Sequence, residues 1–132
     1  MTKLIIAIIC ILGSITVGAQ TFKTISYGQN ILSGKVILKN LRHPINGTII
    51  KNAMLLKLPQ KLKFKAEMED EMDVVTDEIR IYGDVIKNID PNKKYKALIN
   101  RQVVITANIV YAPSPYYPVL VNIIEDFKYK IK

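Results

Sequence analysis

Residues 101–111 read RQVVITANIVY, and the fold turns on this stretch. Val103, Ile105, Ala107, Ile109 and Tyr111 share one parity, while Thr106 and Asn108 take the other. Side chains alternate across a strand with period two, so the pattern predicts a strand with one face in a core and one toward water. Downstream, Ala112-Pro113-Ser114-Pro115 reads as a rigid loop. Val119 to Ile124 predicts a further strand, with Val119, Val121 and Ile123 on one face. Phe127 to Lys132 also alternates and reads as a basic tail that frays from the end.

Upstream, the same period recurs. Leu32, Gly34, Val36 and Leu38 alternate with Ser33, Lys35, Ile37 and Lys39, with a glycine mid-strand, where glycines mark bulges or sharp bends. Asn40 to Thr48 reads as a loop, carrying Pro44 and the Asn46-Gly47 turn signal. Leu56, Leu58, Leu62, Phe64 and Ala66 share one parity, against Lys57, Lys61, Lys63 and Lys65. Pro59 has no N–H to donate, so this stretch is an edge strand or two strands separated by a kink. Glu67 to Asp73 reads as an exposed acidic turn, and Val74 to Ile81 as a short strand ended by Tyr82-Gly83-Asp84. Asp90-Pro91-Asn92 breaks the next stretch, and Lys93 to Leu98 supplies about one or two helical turns.

Five main strands with at most one short helix and a mid-strand glycine in the first strand predict a mainly β fold. The architecture that suits them is a small five-stranded Greek-key barrel of the oligonucleotide/oligosaccharide-binding (OB-like) type, with a small open sandwich as the alternative.

The N-terminus carries an address. Lys3 is the only charge among the first 22 residues, Leu4 to Val17 is almost wholly apolar, and Val17-Gly18-Ala19 places small residues at a cleavage site. This is the pattern of a secretory signal peptide over residues 1–19, leaving a single β domain over residues 20–132. The sixteen residues from Leu4 to Ala19 fall short of the about 20 that a membrane span needs, so no stable span is expected after cleavage. Cys10 sits inside the apolar run after Ile9, not at its end after a small residue, which argues against a lipid anchor. With Cys10 removed, the mature chain has no disulfide, thiolate or cysteine–zinc chemistry, and a packed core must stabilise it. Its size is ordinary for one domain and sufficient for such a core. Localisation is therefore expected to be periplasmic or extracellular.

The order of the pieces resembles the secreted bacterial domain-of-unknown-function family 4431. The stretches that carry the resemblance are Leu32-Ser33-Gly34-Lys35-Val36, Leu55-Leu56-Lys57-Leu58-Pro59, Val103-Val104-Ile105-Thr106-Ala107 and Pro118-Val119-Leu120-Val121. It implies export and a small β domain, and it implies no reaction. Two departures stand out. Ala107 takes a place where the family has glycine, and Ser114-Pro115-Tyr116-Tyr117 replaces a loop rich in threonine and histidine. A histidine-based metal or ligand role therefore does not carry over.

Catalytic residues are not discernible. His43, the only histidine, stands beside Pro44 in an expected loop, and no nucleophile elbow, phosphate loop or zinc helix motif is present. No cofactor or metal site is expected. Glu67, Glu69, Glu71 and Asp73 supply hard oxygen atoms but lack the acid-x-acid-x-acid-Gly spacing of a calcium loop. The formal charge of +8 becomes +7 once Lys3 leaves, which biases the protein toward anionic partners. The charge is segregated, with five lysines and no acid over residues 51–65, then seven acids and no base over residues 67–78. Outward lysines also protect a strand edge from aggregation.

Three readings of function follow. The first is a non-enzymatic binding or interaction module for an envelope protein or glycan, using Tyr111, Tyr116 and Tyr117 around the proline loop as stacking faces. The second is binding of an anionic polymer or surface through Lys57, Lys61, Lys63 and Lys65, for which export makes nucleic acid a poor physiological partner. The third is a carboxylate-based hydrolase, ranked last because nothing sets the separation of two carboxylates.

Overall fold

The computed structural model describes residues 21–114 and 116–132. The expected signal peptide, with Cys10 and its cleavage site, lies outside the described residues. Those described form seven strands: β1 (Thr24–Ser26), β2 (Gly28–Arg42), β3 (Ile49–Lys65), β4 (Val74–Ile81), β5 (Gln102–Tyr111), β6 (Val121–Ile123) and β7 (Lys128–Ile131). A single-turn helix α1 (Pro91–Lys94) and a 3-10 turn (Lys96–Leu98) lie between β4 and β5. The protein is mainly β, and all seven strands belong to one sheet.

The pairings run β2–β3–β4–β6–β5 and return to β2. Within that cycle the β4–β6 pair is parallel and the rest are antiparallel. β2 serves two neighbours in succession. Gly28 to Lys35 pairs with β5, and Lys35 to Arg42 pairs with β3. Gly34 stands at the change of partner. A Cβ there would lie 2.6 Å from the Lys57 carbonyl oxygen and 3.0 Å from the Leu56 side chain. Only a residue without a side chain lets β3 come this close.

The inward parity read from the sequence packs as a single core. Val36, Leu56, Phe64, Ile79, Ile105 and Ile123 are completely or almost completely buried in it. Burying one such side chain stabilises the fold by about 1.5–3 kcal/mol. Tyr95 and Leu98, from the helical connection, join the same cluster. Asp90 caps α1, its side-chain oxygen accepting from the Asn92 amide at 3.0 Å. The Asn92 side chain donates to the Asn52 carbonyl at 2.8 Å and so ties the connection to β3.

Several expectations need correction. There are two further strands, β1 and β7, beyond the five main ones. The tail does not fray: Lys128 to Thr106 and Ile131 to Val103 are register partners on β5. Phe127 stacks on Tyr95 with centroids 4.4 Å apart, and Asp126 accepts from the Tyr95 hydroxyl at 2.5 Å and from Lys94 at 2.6 Å. These two donors, Lys94 first, hold the Asp126 carboxyl below the ordinary range. The loop expected from Asn40 begins instead at His43, because β2 continues through a register shift between Lys39 and Leu41. The last core strand is shorter than 119–124 and keeps only Val121–Ile123. Pro59 neither ends nor splits β3. It lies in the register shift between Lys57 and Leu62, where the ladder to β4 is interrupted and no N–H is required of it.

Gly34→Ala tests the close approach. It is expected to lower unfolding free energy by ~1–3 kcal/mol through overpacking, read as a reduced urea midpoint at unchanged slope. An unchanged midpoint would mean that β3 can retreat without cost.

Candidate functional site

The loop from Ala112 to Leu120 joins β5 to β6 and is closed at its base by the Ala112 amide, which donates to the Leu120 carbonyl at 2.8 Å. The structure distributes its three flanking tyrosines to different neighbours. Tyr111, the last residue of β5, meets Tyr27 edge-on at 6.1 Å, and Tyr27 in turn packs on Phe64 at 5.9 Å. Tyr116 is exposed and lies 6.0 Å from the His43 ring. Tyr117 is half-buried and meets Tyr82 edge-on at 5.5 Å. Tyr111 thus belongs with the core-side rings, while Tyr116 and Tyr117 stand against His43 and Tyr82.

His43 opens the loop between β2 and β3. Its Nδ1 accepts from the amides of Ile45, at 3.2 Å, and Asn46, at 3.4 Å. In the neutral ring this leaves Nε2 as the protonated nitrogen and so the donor. Through His43 and Tyr116 the 43–48 loop meets the 112–120 loop.

On the Tyr117 side, against Tyr82, stands a residue the sequence reading passed over. Arg80 alternates with the buried Ile79 and Ile81, so it projects from the outer face of β4. Its guanidinium carbon lies 4.2 Å from the centroid of the Tyr82 ring. Among the described residues no carboxylate forms an ion pair with it. Burial pulls its pKa below the ordinary value, and burial also raises that of the Tyr82 phenol. On one side Arg80 is the register partner of Leu55, which is fully buried despite its outward parity. On the other side it is the partner of Asn122. The Asn122 amide nitrogen donates to the Val119 carbonyl at 3.0 Å, whereas its Oδ1 is buried with no partner. Arg80, Tyr82 and Tyr117 therefore combine a partly desolvated cation with two rings, an arrangement able to hold a planar or anionic group.

The lysine stripe has a different character. Lys57 contacts Asp77 at 2.8 Å and Lys63 approaches Asp73 at 3.8 Å, while Lys39 engages Glu78 at 3.0 Å. Lys61 and Lys65 are exposed and take part in no ion pair among the described residues. The acidic stretch that follows in sequence thus folds back on the basic one and neutralises part of it. Residues 67–73 are not extended. Asp73 accepts from the Ala66 amide at 2.8 Å and Glu71 from the Glu67 amide at 3.2 Å, so these carboxylates brace the β3–β4 connection. Among the described residues, no group of three or more His, Cys, Asp or Glu side chains is placed to hold a metal ion, and no helix is long and apolar enough to cross a membrane.

No protein-family model, curated protein or solved structure matches this chain.

The Lys57–Asp77 contact sets a titration. The Lys57 ammonium, hydrogen-bonded to Asp77, holds that carboxyl below its ordinary value. A depressed carboxyl stabilises the fold above its unfolded pKa, and the contribution is lost as pH falls through the lowered folded value. Lys57→Met is expected to move the Asp77 carboxyl resonance titration upward, toward the ordinary range. An unmoved midpoint would show that the stripe is not neutralised by this contact.

Proposed function

We propose that this chain is an exported, non-enzymatic binding module of the periplasm or cell surface. In this reading it is built as a five-stranded Greek-key barrel of the OB-like type. Its ligand is an anionic envelope glycan, held between the 43–48 and 112–120 loops. The barrel reading is supported by the cycle of pairings, with its parallel β4–β6 pair and a short helical connection between β4 and β5. In such barrels the loops joining strands one to two and four to five border the ligand face. Here those loops are 43–48 and 112–120. Kinship with domain-of-unknown-function family 4431 belongs to the same proposal, and its four carrying stretches fall in β2, β3, β5 and the approach to β6.

The observation that carries the reading is Arg80. A guanidinium partly withdrawn from water and resting on an aromatic ring, with no carboxylate partner among the described residues, has unused capacity for a bidentate anion. Tyr117 and the exposed Tyr116 supply flat faces for sugar rings. A binder fits these groups better than a catalyst does, because guanidinium and phenol hold ligands at neutral pH without exchanging protons. The lysine stripe is a weaker contact surface, since Lys57 and Lys63 already face acids.

Titration with a short oligogalacturonate, followed by calorimetry, tests the assignment. Arg80→Gln and Tyr117→Ala are each expected to weaken binding by about tenfold or more, with Arg80→Lys intermediate. Tyr111→Phe should leave affinity unchanged. Equal binding of a neutral oligosaccharide of the same length, unaffected by Arg80→Gln, would sink the anionic-ligand reading. Export has its own check: N-terminal sequencing of the protein recovered outside the cytoplasm should begin at Gln20.

A further inference from the structure

A cavity of about 660 Å³ opens between the 66–73 connection, the end of β5 and the base of the 112–120 loop; its lining includes none of Arg80, Tyr82, Tyr116 or Tyr117. Its volume is in the range of small-ligand sites. Tyr27 and Tyr111, in edge-on contact, form one part of the wall together with Pro113. Glu67, Asp70 and Glu71 form another.

The charge here runs against the rest of the molecule. The chain has 19 lysines and arginines against 11 acids. Five of those acids, Asp73, Asp77, Glu78, Asp84 and Asp126, stand in ion pairs with lysines. Of the six that form no ion pair among the described residues, three, Glu67, Asp70 and Glu71, line this cavity. Burial first, and then the Glu71 charge, pushes the Tyr27 phenol up to about 12. Unpaired carboxylates and aromatic rings lining one small concave space form the complement of an alkyl cation, which gains from both.

We propose that this cavity binds a guanidinium or alkylammonium group, carried by a basic peptide segment of a partner or by a free polyamine. The aromatic wall takes the face or stem of the cation and the carboxylates take its N–H donors. Tyr111, which the sequence marks as a stacking residue, thereby acts at this second site, apart from Tyr116 and Tyr117.

The test is an amide-resolved NMR titration of the full exported chain with acetyl-tetra-arginine amide, with spermidine, and with a tetra-glutamate peptide as control. Shifts are expected at Tyr27, Glu71 and Tyr111 with one or both cations and not with the control, and the tighter probe identifies the source. Glu71→Gln keeps an oxygen able to accept from the Glu67 amide, and Asp70→Asn alters a side chain that makes no hydrogen bond among the described residues. Each should weaken binding by about fivefold or more, as should Tyr111→Leu. Arg80→Gln should leave it unchanged, which separates this site from the glycan surface. Shifts spread evenly over Asp90, Glu125 and the other exposed acids, or an affinity indifferent to Asp70→Asn, would overturn the proposal.

Discussion

Where β2 passes from β5 to β3, the Lys57 carbonyl comes within 2.6 Å of the point a Cβ on residue 34 would occupy. The rest of the sheet depends on that contact. If β2 could not release β5 and take up β3 within one residue, the two halves of the sheet would share no strand. The cycle of pairings would open, and β4 and β6 would lose the frame that brings them side by side. A single absent side chain thus determines how sharply a fifteen-residue strand can turn from one neighbour to the next.

The closeness of β4 and β6 then sets the chemistry of the outer face. Arg80 and Asn122 are 42 positions apart in sequence, yet the parallel register makes them partners. The core holds Ile79, Ile81, Val121 and Ile123 inward, so strict alternation drives Arg80 and Asn122 outward together. The 112–120 loop arrives on that same face, because it must return from β5 to β6. Packing of apolar residues on one side of the sheet therefore positions a cation, two tyrosines and an orphaned amide oxygen on the other.

The parts of this arrangement that follow from local alternation were legible in the sequence. The inward residues of β2 to β6, the acidic turn and the short helical connection can all be read from period and punctuation. The short strands β1 and β7 were not. Three or four residues such as Thr24-Ile25-Ser26 carry too little apolar pattern to distinguish a strand from a tail, and their order comes from partners elsewhere in the chain. The tyrosines show the same limit. Tyr111, Tyr116 and Tyr117 are near neighbours in sequence, but the end of β5 and the turn at Ser114 point them to Tyr27, His43 and Tyr82 respectively. Arg80 went unnoticed because an arginine on a strand's outer parity looks like any solvated charge. Its meaning comes from the Tyr82 ring beneath it and from the lack, among the described residues, of an acid paired with it.

Charge balance makes the same point at the scale of the whole molecule. Within a formal charge of +8, the sequence sets a lysine run over residues 51–65 directly before an acidic run over residues 67–78. In the folded chain the acids that follow that run double back across the β3–β4 hairpin and take up part of it. Attraction between oppositely charged neighbours in one hairpin thus weakens the lysine run as a basic face. Lys61 and Lys65 stay unpaired among the described residues, but unpaired charge meets aromatic surface at two smaller places: one guanidinium on an aromatic ring, and three carboxylates around a cavity walled by two others. An unpaired charge near low-dielectric surroundings interacts more strongly than one in open water. The binding proposed for this chain therefore rests on these two places, where charge and aromatic surface coincide, more than on the stripe where charge is most abundant.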